Sequence, residues 1–278
     1  MTPVLAVPLG EVVHAATQRL AAAGVPSPRH DAEVLAAHLL GLPRGRLAGA
    51  GPLSPDQRAA LAVLVERRAE RVPLQHLTGE APFRHLLLAV GPGVFVPRPE
   101  SEGLVDLVLP AVGSGSVVVD LGAGSGAIAL AIATERPGSV VHAVEMDPAA
   151  AAWLNRNVAG SAVIVHQVDL RELAGVVADV VVSNPPYLPL GTVVDPEVAD
   201  HDPPIALWGG SDGLDMLRAV VDVAGRLLRP GGLLALEHDL THQGEVLALV
   251  CRSGFSQVLG HVDLAGRNRY VTAVRAEL

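Results

Sequence analysis

The sequence has no lysine, one cysteine, few aromatic side chains and no long apolar run, and each shortage removes a class of protein. The greasiest stretch, residues 116–134, is broken by Asp120 and by glycines, so nothing matches the roughly 18 uninterrupted apolar residues of a membrane span. Cys251 has no partner with which to staple a fold, and a lone thiol suits a reducing compartment. Residues 1–10 lack a basic start and have too short an apolar core for a secretory signal, so a cytoplasmic protein is expected. Every residue in the Lys and Arg total of 20 is an arginine, and these face 29 acidic residues for a net charge of −9. Proteins that coat nucleic acid draw affinity from neutralised phosphates, so direct nucleic-acid binding is not expected. What remains is a globular chain. Half of its 278 residues are hydrophobic and 18% are charged, a balance that excludes charge-driven disorder.

Residues 1–75 read as a small helical domain. Val12, Val13, Ala16 and Leu20 recur at helical spacing within residues 11–23, and Gly24 and Pro26 end the run. Further helices are read at 31–40 and at 56–71, the latter with Ser54 as cap and Pro55 in its first turn. Arg67, Arg68 and Arg71 form a basic cluster there, read by default as a solvated helix face, with contact to an acidic partner surface as the alternative. Residues 76–98 are rich in proline and read as a linker holding a hairpin of strands 86–90 and 94–96. From 99 to 278, β-type runs at 117–121, 140–145, 162–168, 178–183 and 233–237 alternate with helical stretches. This is the pattern of an α/β fold, a mostly parallel sheet flanked by helices. Runs 256–262 and 269–274 have no helix between them, which places an antiparallel pair at one sheet edge.

Two motifs carry chemistry. The first, Asp120-Leu121-Gly122-Ala123-Gly124-Ser125-Gly126, follows a strand run and opens a helical one. Glycines there let the backbone turn sharply and let a ligand reach main chain that a Cβ would cover. Glu145 ends the next strand run, where a carboxylate can accept hydrogen bonds from both hydroxyls of a ribose. An adenosine-type cofactor is expected, and the pattern by itself leaves a dinucleotide and S-adenosylmethionine both open.

The second motif, Asn184-Pro185-Pro186-Tyr187, ends the fourth strand run of the sheet. Open α/β sheets place their ligands at such strand ends. An amide or exocyclic amino nitrogen is a poor nucleophile because its lone pair is delocalised. A transferase must therefore supply acceptors that hold both N–H groups and stabilise charge developing on nitrogen. The Asn184 side-chain carbonyl and the Pro185 main-chain carbonyl are the two candidates. Two prolines stiffen the loop, and Tyr187 offers a flat face for a planar amide or base. Because the motif is uncharged, the rate is expected to come from alignment and from these carbonyls, not from a strongly shifted acid or base.

With these residues the chain resembles the protein-glutamine N5-methyltransferases that modify peptide-chain release factors. The likeness runs through Pro73-Leu74-Gln75-His76-Leu77-Thr78-Gly79-Glu80, Val94-Phe95-Val96-Pro97-Arg98-Pro99-Glu100 and the two motifs above. It continues through Gly209-Gly210-Ser211-Asp212-Gly213-Leu214-Asp215 and Asp263-Leu264-Ala265-Gly266-Arg267-Asn268-Arg269. It implies a class I S-adenosylmethionine-dependent methyltransferase: a Rossmann-like, seven-stranded, mostly parallel sheet with a small N-terminal helical domain, which recognises the protein partner, and a β-hairpin linker. The implied reaction moves a methyl group from S-adenosyl-L-methionine to the side-chain amide of the glutamine in the Gly-Gly-Gln motif of class-I release factors. The implied enzyme is a monomer without metal.

By position, Gly122, Ala123, Gly124, Ser125 and Gly126 would line the methionine and ribose of the cofactor, Glu145 its ribose, and Asp169 with Leu170 its adenine edge. Asn184 would also lie beside the cofactor. Phe95 and Arg98 match positions beside the cofactor and the reacting glutamine, which Asn184, Pro185, Pro186 and Tyr187 would hold. The chain departs from the family in carrying Asp202-Pro203 where Glu-Pro is usual and His238-Asp239 where Ile-Gly is usual. Leu170 stands where some members carry an aromatic.

Rival readings compete with this one. An N6-adenine or N4-cytosine methyltransferase of nucleic acid shares the tetrapeptide, but it would need a strand-gripping basic surface that this acidic chain lacks. A nucleotide-sensing module without catalysis has no need of a nitrogen-orienting loop. Gly209 to Gly213 also fit a Gly-x-Ser-x-Gly nucleophile elbow, with Asp239 and His242 or His261 completing a triad. The residues before it make a poor strand, and Ser211 or Asp212 better suits a helix cap. His238 and His242, four apart, straddle an expected strand end and helix start and offer little for a metal.

Overall fold

The computed structural model describes residues 7–277, so the reading of residues 1–10 as lacking an export signal falls largely outside the described residues. The chain begins with four helices, α1 (Leu9–Ala22), α2 (Pro28–Leu40), α3 (Pro55–Ala69) and α4 (Leu74–Thr78), then a two-stranded sheet of β1 (Glu80–Phe83) and β2 (Leu86–Ala89). There follow α5 (Glu102–Val108), β3 (Val117–Leu121), α6 (Ala127–Glu135), β4 (Val140–Val144), α7 (Pro148–Val158), β5 (Ile164–His166) and β6 (Ala178–Ser183). The last elements are α8 (Pro196–His201), α9 (Asp215–Leu227), β7 (Leu228–Glu237), α10 (Gln243–Arg252), β8 (Phe255–Val262) and β9 (Asn268–Arg275). No helix among the described residues is long and apolar enough to cross a membrane.

Two compact units form. One takes the chain through Glu80 together with Asp195–His201, and the other takes the rest. In the first, Leu20, Leu35, Leu61 and Leu77 bury their side chains in one core, so α4 belongs with α1, α2 and α3. Ser54 starts α3 with a reciprocal cap. Its hydroxyl accepts from Gln57 N at 3.2 Å, and the Gln57 side-chain oxygen accepts from Ser54 N at 2.9 Å, with Pro55 in the first turn.

Of the basic cluster only Arg67 is exposed as a solvated face requires; Arg68 and Arg71 are not. Arg68 follows Leu61 and Val65 on the buried stripe of α3, and its guanidinium meets Asp31 and Glu197 at 2.7 Å each. Arg71 shares Glu197, also at 2.7 Å. Helical spacing turned Arg68 inward, and two carboxylates make its burial tolerable.

The second unit holds a seven-stranded sheet in the order β5-β4-β3-β6-β7-β9-β8. Pairing is parallel from β5 across to β7, and antiparallel between β7 and β9 and between β9 and β8. The expected antiparallel edge is therefore present. Side chains alternate between two cores. Val118, Val180, Val182 and Ala235 face α5, α6 and α7, whereas Val119, Val181, Leu234 and Leu236 face α9 and α10. Burial on both faces explains why these strands read as apolar runs. The strand order reverses beside β3, and this opens the crevice at the carboxyl ends of β3 and β6.

The hairpin is placed differently from the sequence expectation. Its strands are Glu80–Phe83 and Leu86–Ala89, turned at Arg84, and residues 94–96 form no strand. Val94 and Val96 are buried instead against Ala150 and Trp153 of α7, whose indole N–H donates to the Pro92 carbonyl at 3.2 Å. An alternating apolar triplet looks the same whether a strand or a helix covers it.

Candidate functional site

The glycine loop leaves β3 at Leu121 and enters α6 at Ala127. Gly122 N and Ala123 N both donate to the Val144 carbonyl at 2.9 Å, which ties the loop to the end of β4. Gly122 and Gly124 have φ of +77° and +56°, and a Cβ built on either would meet nothing within 4 Å. Main chain is thus laid bare beside open space, as a ligand cradle requires.

Glu145 stands next to the loop. One carboxylate oxygen accepts from Gly124 N at 2.9 Å and the other from Asp147 N at 2.8 Å. A carboxylate offers about four acceptor positions, so two remain for a pair of ribose hydroxyls. Burial raises the Glu145 carboxyl above its ordinary value. Asp120 lies deeper. Its Oδ2 accepts from Ala129 N at 3.1 Å, its Oδ1 is buried without a partner, and burial pushes the carboxyl up to about 7. A bare glycine cradle, a carboxylate with spare acceptors and an orphaned buried oxygen fit an adenosyl ligand that carries positive charge.

Asp169 sits just after β5 and caps its own turn, Oδ1 accepting from Arg171 N at 2.9 Å and Oδ2 pairing with the Arg171 guanidinium at 3.0 Å. Leu170 is buried in the core on the α9 side of the sheet. Phe95 is half-buried beneath the Arg98 guanidinium, 4.8 Å from the ring centre, and Arg98 pairs with the buried Asp202. The mild change from Glu to Asp at position 202 thus keeps the carboxylate.

Asn184, Pro185, Pro186 and Tyr187 follow β6 at the carboxyl end of the sheet. Asn184 Nδ2 donates to Ser101 Oγ at 2.8 Å, and Ser101 Oγ donates to Glu237 Oε2 at 2.8 Å. The Tyr187 hydroxyl donates to the other oxygen of Glu237 at 3.2 Å. The Asn184 side-chain carbonyl and the Pro185 main-chain carbonyl accept no hydrogen bond among the described residues. Both oxygens are therefore available to accept from a ligand.

Sequence reasoning passed over Ser101, Glu237 and Arg269. Glu237 ends β7, and the pairing of Ser183 with Leu236 brings it alongside Asn184. It is 1% exposed, and burial pushes its carboxyl up to about 7, with the nearby Arg269 favouring the charged form. Burial raises the Tyr187 hydroxyl as well, and Glu237 adds to the effect. Ser101 lies just past the Pro97 to Glu100 segment. Tyr270 fastens that segment by donating its hydroxyl to the Glu100 carbonyl at 2.5 Å, and Arg267 reaches the Glu100 carboxylate at 3.2 Å. A charged residue closing an apolar strand run was the one available signal for Glu237.

The segment from Gly209 to Gly213 is a support, not an elbow. Leu188 N donates to Leu207 O at 3.0 Å, Gly209 N to Leu188 O at 2.9 Å and Leu190 N to Gly210 O at 2.9 Å, so it lies along the tetrapeptide loop. Asp212 accepts from Leu214 N at 3.0 Å ahead of α9. Of the residues named for a triad, Asp239 accepts from Thr241 and His261 bonds Thr272, while His242 Nδ1 is buried without a partner.

Comparison with known proteins agrees with this geometry. Residues 11–79 match the family model of the PrmC N-terminal domain, and residues 92–200 match that of the methyltransferase small domain. The chain is 50% identical to the release factor glutamine methyltransferase of Mycolicibacterium smegmatis, covering 96% of this chain and 98% of that one. The Streptomyces coelicolor protein of the same name is also 50% identical, with the same coverage. Among solved structures, the T. thermophilus 16S rRNA N2 G1207 methyltransferase in complex with AdoMet and guanosine shares the fold. Its TM-score is 0.52 at 24% identity, over 70% of this chain and 49% of that one. Fold, site and near full-length identity converge, and the chain belongs to the release factor glutamine methyltransferase family.

Proposed function

We propose that this chain methylates the side-chain amide nitrogen of the glutamine in the Gly-Gly-Gln motif of class-I release factors, with S-adenosyl-L-methionine as donor. The observation that carries the reading is the sense of the Asn184 amide. Its nitrogen is committed to Ser101, so its carbonyl is left, with that of Pro185, to accept from the two N–H groups of a carboxamide. S-adenosylmethionine, when bound, supplies an electrophilic methyl carbon on a positively charged sulfur. Gly122, Ala123, Gly124, Ser125 and Gly126 would hold its methionine and ribose portions and Glu145 its ribose hydroxyls. Asp169 and Leu170 would border the adenine, and Phe95, Arg98 and Asn184 would lie between donor and glutamine.

The two carbonyls hold the substrate nitrogen in line with the donor and stabilise the charge that grows on it. The nitrogen gains a C–N bond as the C–S bond breaks, and it then releases one proton to water. Pro185 and Pro186 keep the loop from adjusting, and Tyr187 offers its ring face to orient the planar carboxamide. The helical unit recognises the release factor, in the cytoplasm.

The test is incubation with labelled donor, a class-I release factor and its glutamine-to-alanine variant, followed by mass mapping. One added methyl on that glutamine, absent from the variant, is the expected result. Labelling of tRNA or DNA in place of protein would overturn the reading.

A further inference from the structure

We propose that Glu237 is a positioning residue which, through Ser101, fixes the sense of the Asn184 amide and, directly, holds Tyr187, so that one buried carboxylate aligns both ends of the tetrapeptide. The inference rests on the reading that Asn184 and Tyr187 hold the substrate amide.

The number of protons available at Ser101 sets the arrangement. An ionised carboxylate only accepts, so the single Ser101 hydroxyl proton must point to Glu237 Oε2. The lone pairs of Ser101 Oγ are then all it can offer Asn184, and only the amide nitrogen can use them. The amide carbonyl is thereby turned to the opposite side, toward substrate. The second carboxylate oxygen takes the Tyr187 proton, which fixes where that ring stands. The parts come from three places in the chain: the turn before α5, the loop after β6 and the end of β7. Nothing local to the tetrapeptide does this work.

Protonation of Glu237 undoes the arrangement. A carboxyl that holds a proton on Oε2 donates to Ser101, whose own proton is then free to bond the Asn184 carbonyl and invert the amide. The groups facing Glu237 are Arg269 and Tyr270 from β9, Tyr187 from the loop and Glu100 from the turn, and among these Arg269 alone brings positive charge. Burial outweighs it, and the carboxyl titrates at about 7. An acid limb in kcat follows.

Ser101→Ala and Ser101→Thr decide the matter, with Asn184→Ala alongside, each assayed on a class-I release factor with labelled S-adenosylmethionine and with calorimetric binding of the donor alone. Ser101→Ala keeps the carboxylate and removes the relay. It should lower kcat by about tenfold or more, the effect of a lost hydrogen bond to a buried group, and flatten the acid limb. Donor affinity should stay within about twofold, since the substitution leaves the glycine loop and Glu145 untouched. Ser101→Thr keeps the hydroxyl and should restore both the rate and the limb. If Ser101→Ala shows the native kcat and limb while Asn184→Ala is slow, the relay is wrong and the reading of Asn184 stands. If Asn184→Ala is itself at the native rate, both fall.

Discussion

Gly209 lies against the Pro186 carbonyl so closely that a Cβ on it would stand 2.7 Å from that oxygen, and 2.5 Å from the carbonyl of Gly213. Both neighbours are main chain and cannot swing aside. Gly209→Ala must therefore move the tetrapeptide loop or its support. It should cost about 1–3 kcal/mol of stability, the usual range for overpacking. A larger effect is expected on kcat, because the displaced oxygen is one residue beyond the Pro185 acceptor. Urea denaturation beside steady-state kinetics measures the two; an alanine variant with native kcat would show that the loop is not held from this side.

On the proposed reading, Asn184→Ala removes one of two acceptors from the reacting nitrogen and leaves the glycine loop and Glu145 of the donor pocket in place. The loss in kcat should correspond to about 2.7–4 kcal/mol, as for removal of one oxyanion-hole donor. Single-turnover rates at saturating donor report it, and donor binding by calorimetry should be close to native.

The parts of the site that could be read from sequence are those built from neighbours in the chain. Asp120 to Gly126 and Asn184 to Tyr187 are contiguous, and each carries its own chemical logic. The alternation of strand and helix runs likewise exposes the sheet, because strands buried on both faces must be apolar throughout. What escaped depends on register and packing. Ser101 is 83 positions from Asn184 and 136 from Glu237, and only the pairing of β6 with β7 and the turn before α5 bring them together. Arg68 was misplaced for a related reason. Charge argued for solvent, while the helical position argued for the core, and the partner that decides the contest, Glu197, comes from a distant helix. Val94 and Val96 are apolar because α7 covers them, and residues 76–98 alone do not contain that information.

Glu145 offers a test of the cofactor pocket that is separate from the chemistry. Its carboxylate already steadies Gly124 N and Asp147 N and has acceptors to spare. Glu145→Ala should weaken donor binding by about 1.5–3 kcal/mol, the range for hydrogen bonds to a charged group. Once the donor is saturating, kcat should return to near the native value. A variant with native affinity and lost kcat would place Glu145 at the reacting atoms instead.

Asp120 gives the free protein a pH dependence of definite sign. Its carboxyl is buried and titrates at about 7, against 3.8 for the unperturbed group. Between those values the folded chain binds the proton and the unfolded chain does not, so stability falls as pH rises through this window and levels off above it. Glu237, at about 7 for the same reason, pulls the same way. The carboxylates of Asp179, Asp212 and Asp263 are held below their ordinary value, chiefly by main-chain N–H groups and by arginine partners, so their effect belongs to more acid solution. Asp120→Asn keeps an oxygen for Ala129 N and removes the titration. The melting temperature should drop less between pH 5 and about 8 in this variant than in the native chain; Glu237 and Glu145, both raised by burial, sustain the remaining drop, and His142, His238 and His261, all lowered by burial, oppose it. An unchanged drop would mean that Asp120 stays ionised throughout.

The helical unit depends on a charge cluster that balances only as a whole. Arg68 is buried with Asp31, their side chains 5% and 7% exposed, while Glu197 joins Arg68 to Arg71. Arg68→Ala leaves the Asp31 carboxylate in the core without a cation, a loss that usually costs 3–5 kcal/mol. Arg68→Met with Asp31→Asn removes both charges, retains volume and should recover much of that cost, because desolvation then penalises neither side. The readout must see this unit. Both tryptophans, Trp153 and Trp208, lie in the other one, so fluorescence would miss the event. Hydrogen exchange at the α2 and α3 amides does see it. Protection there should collapse in Arg68→Ala and return in the double variant. Equal loss in both would show that the arginine stabilises the unit through the packing of its stem instead of its charge.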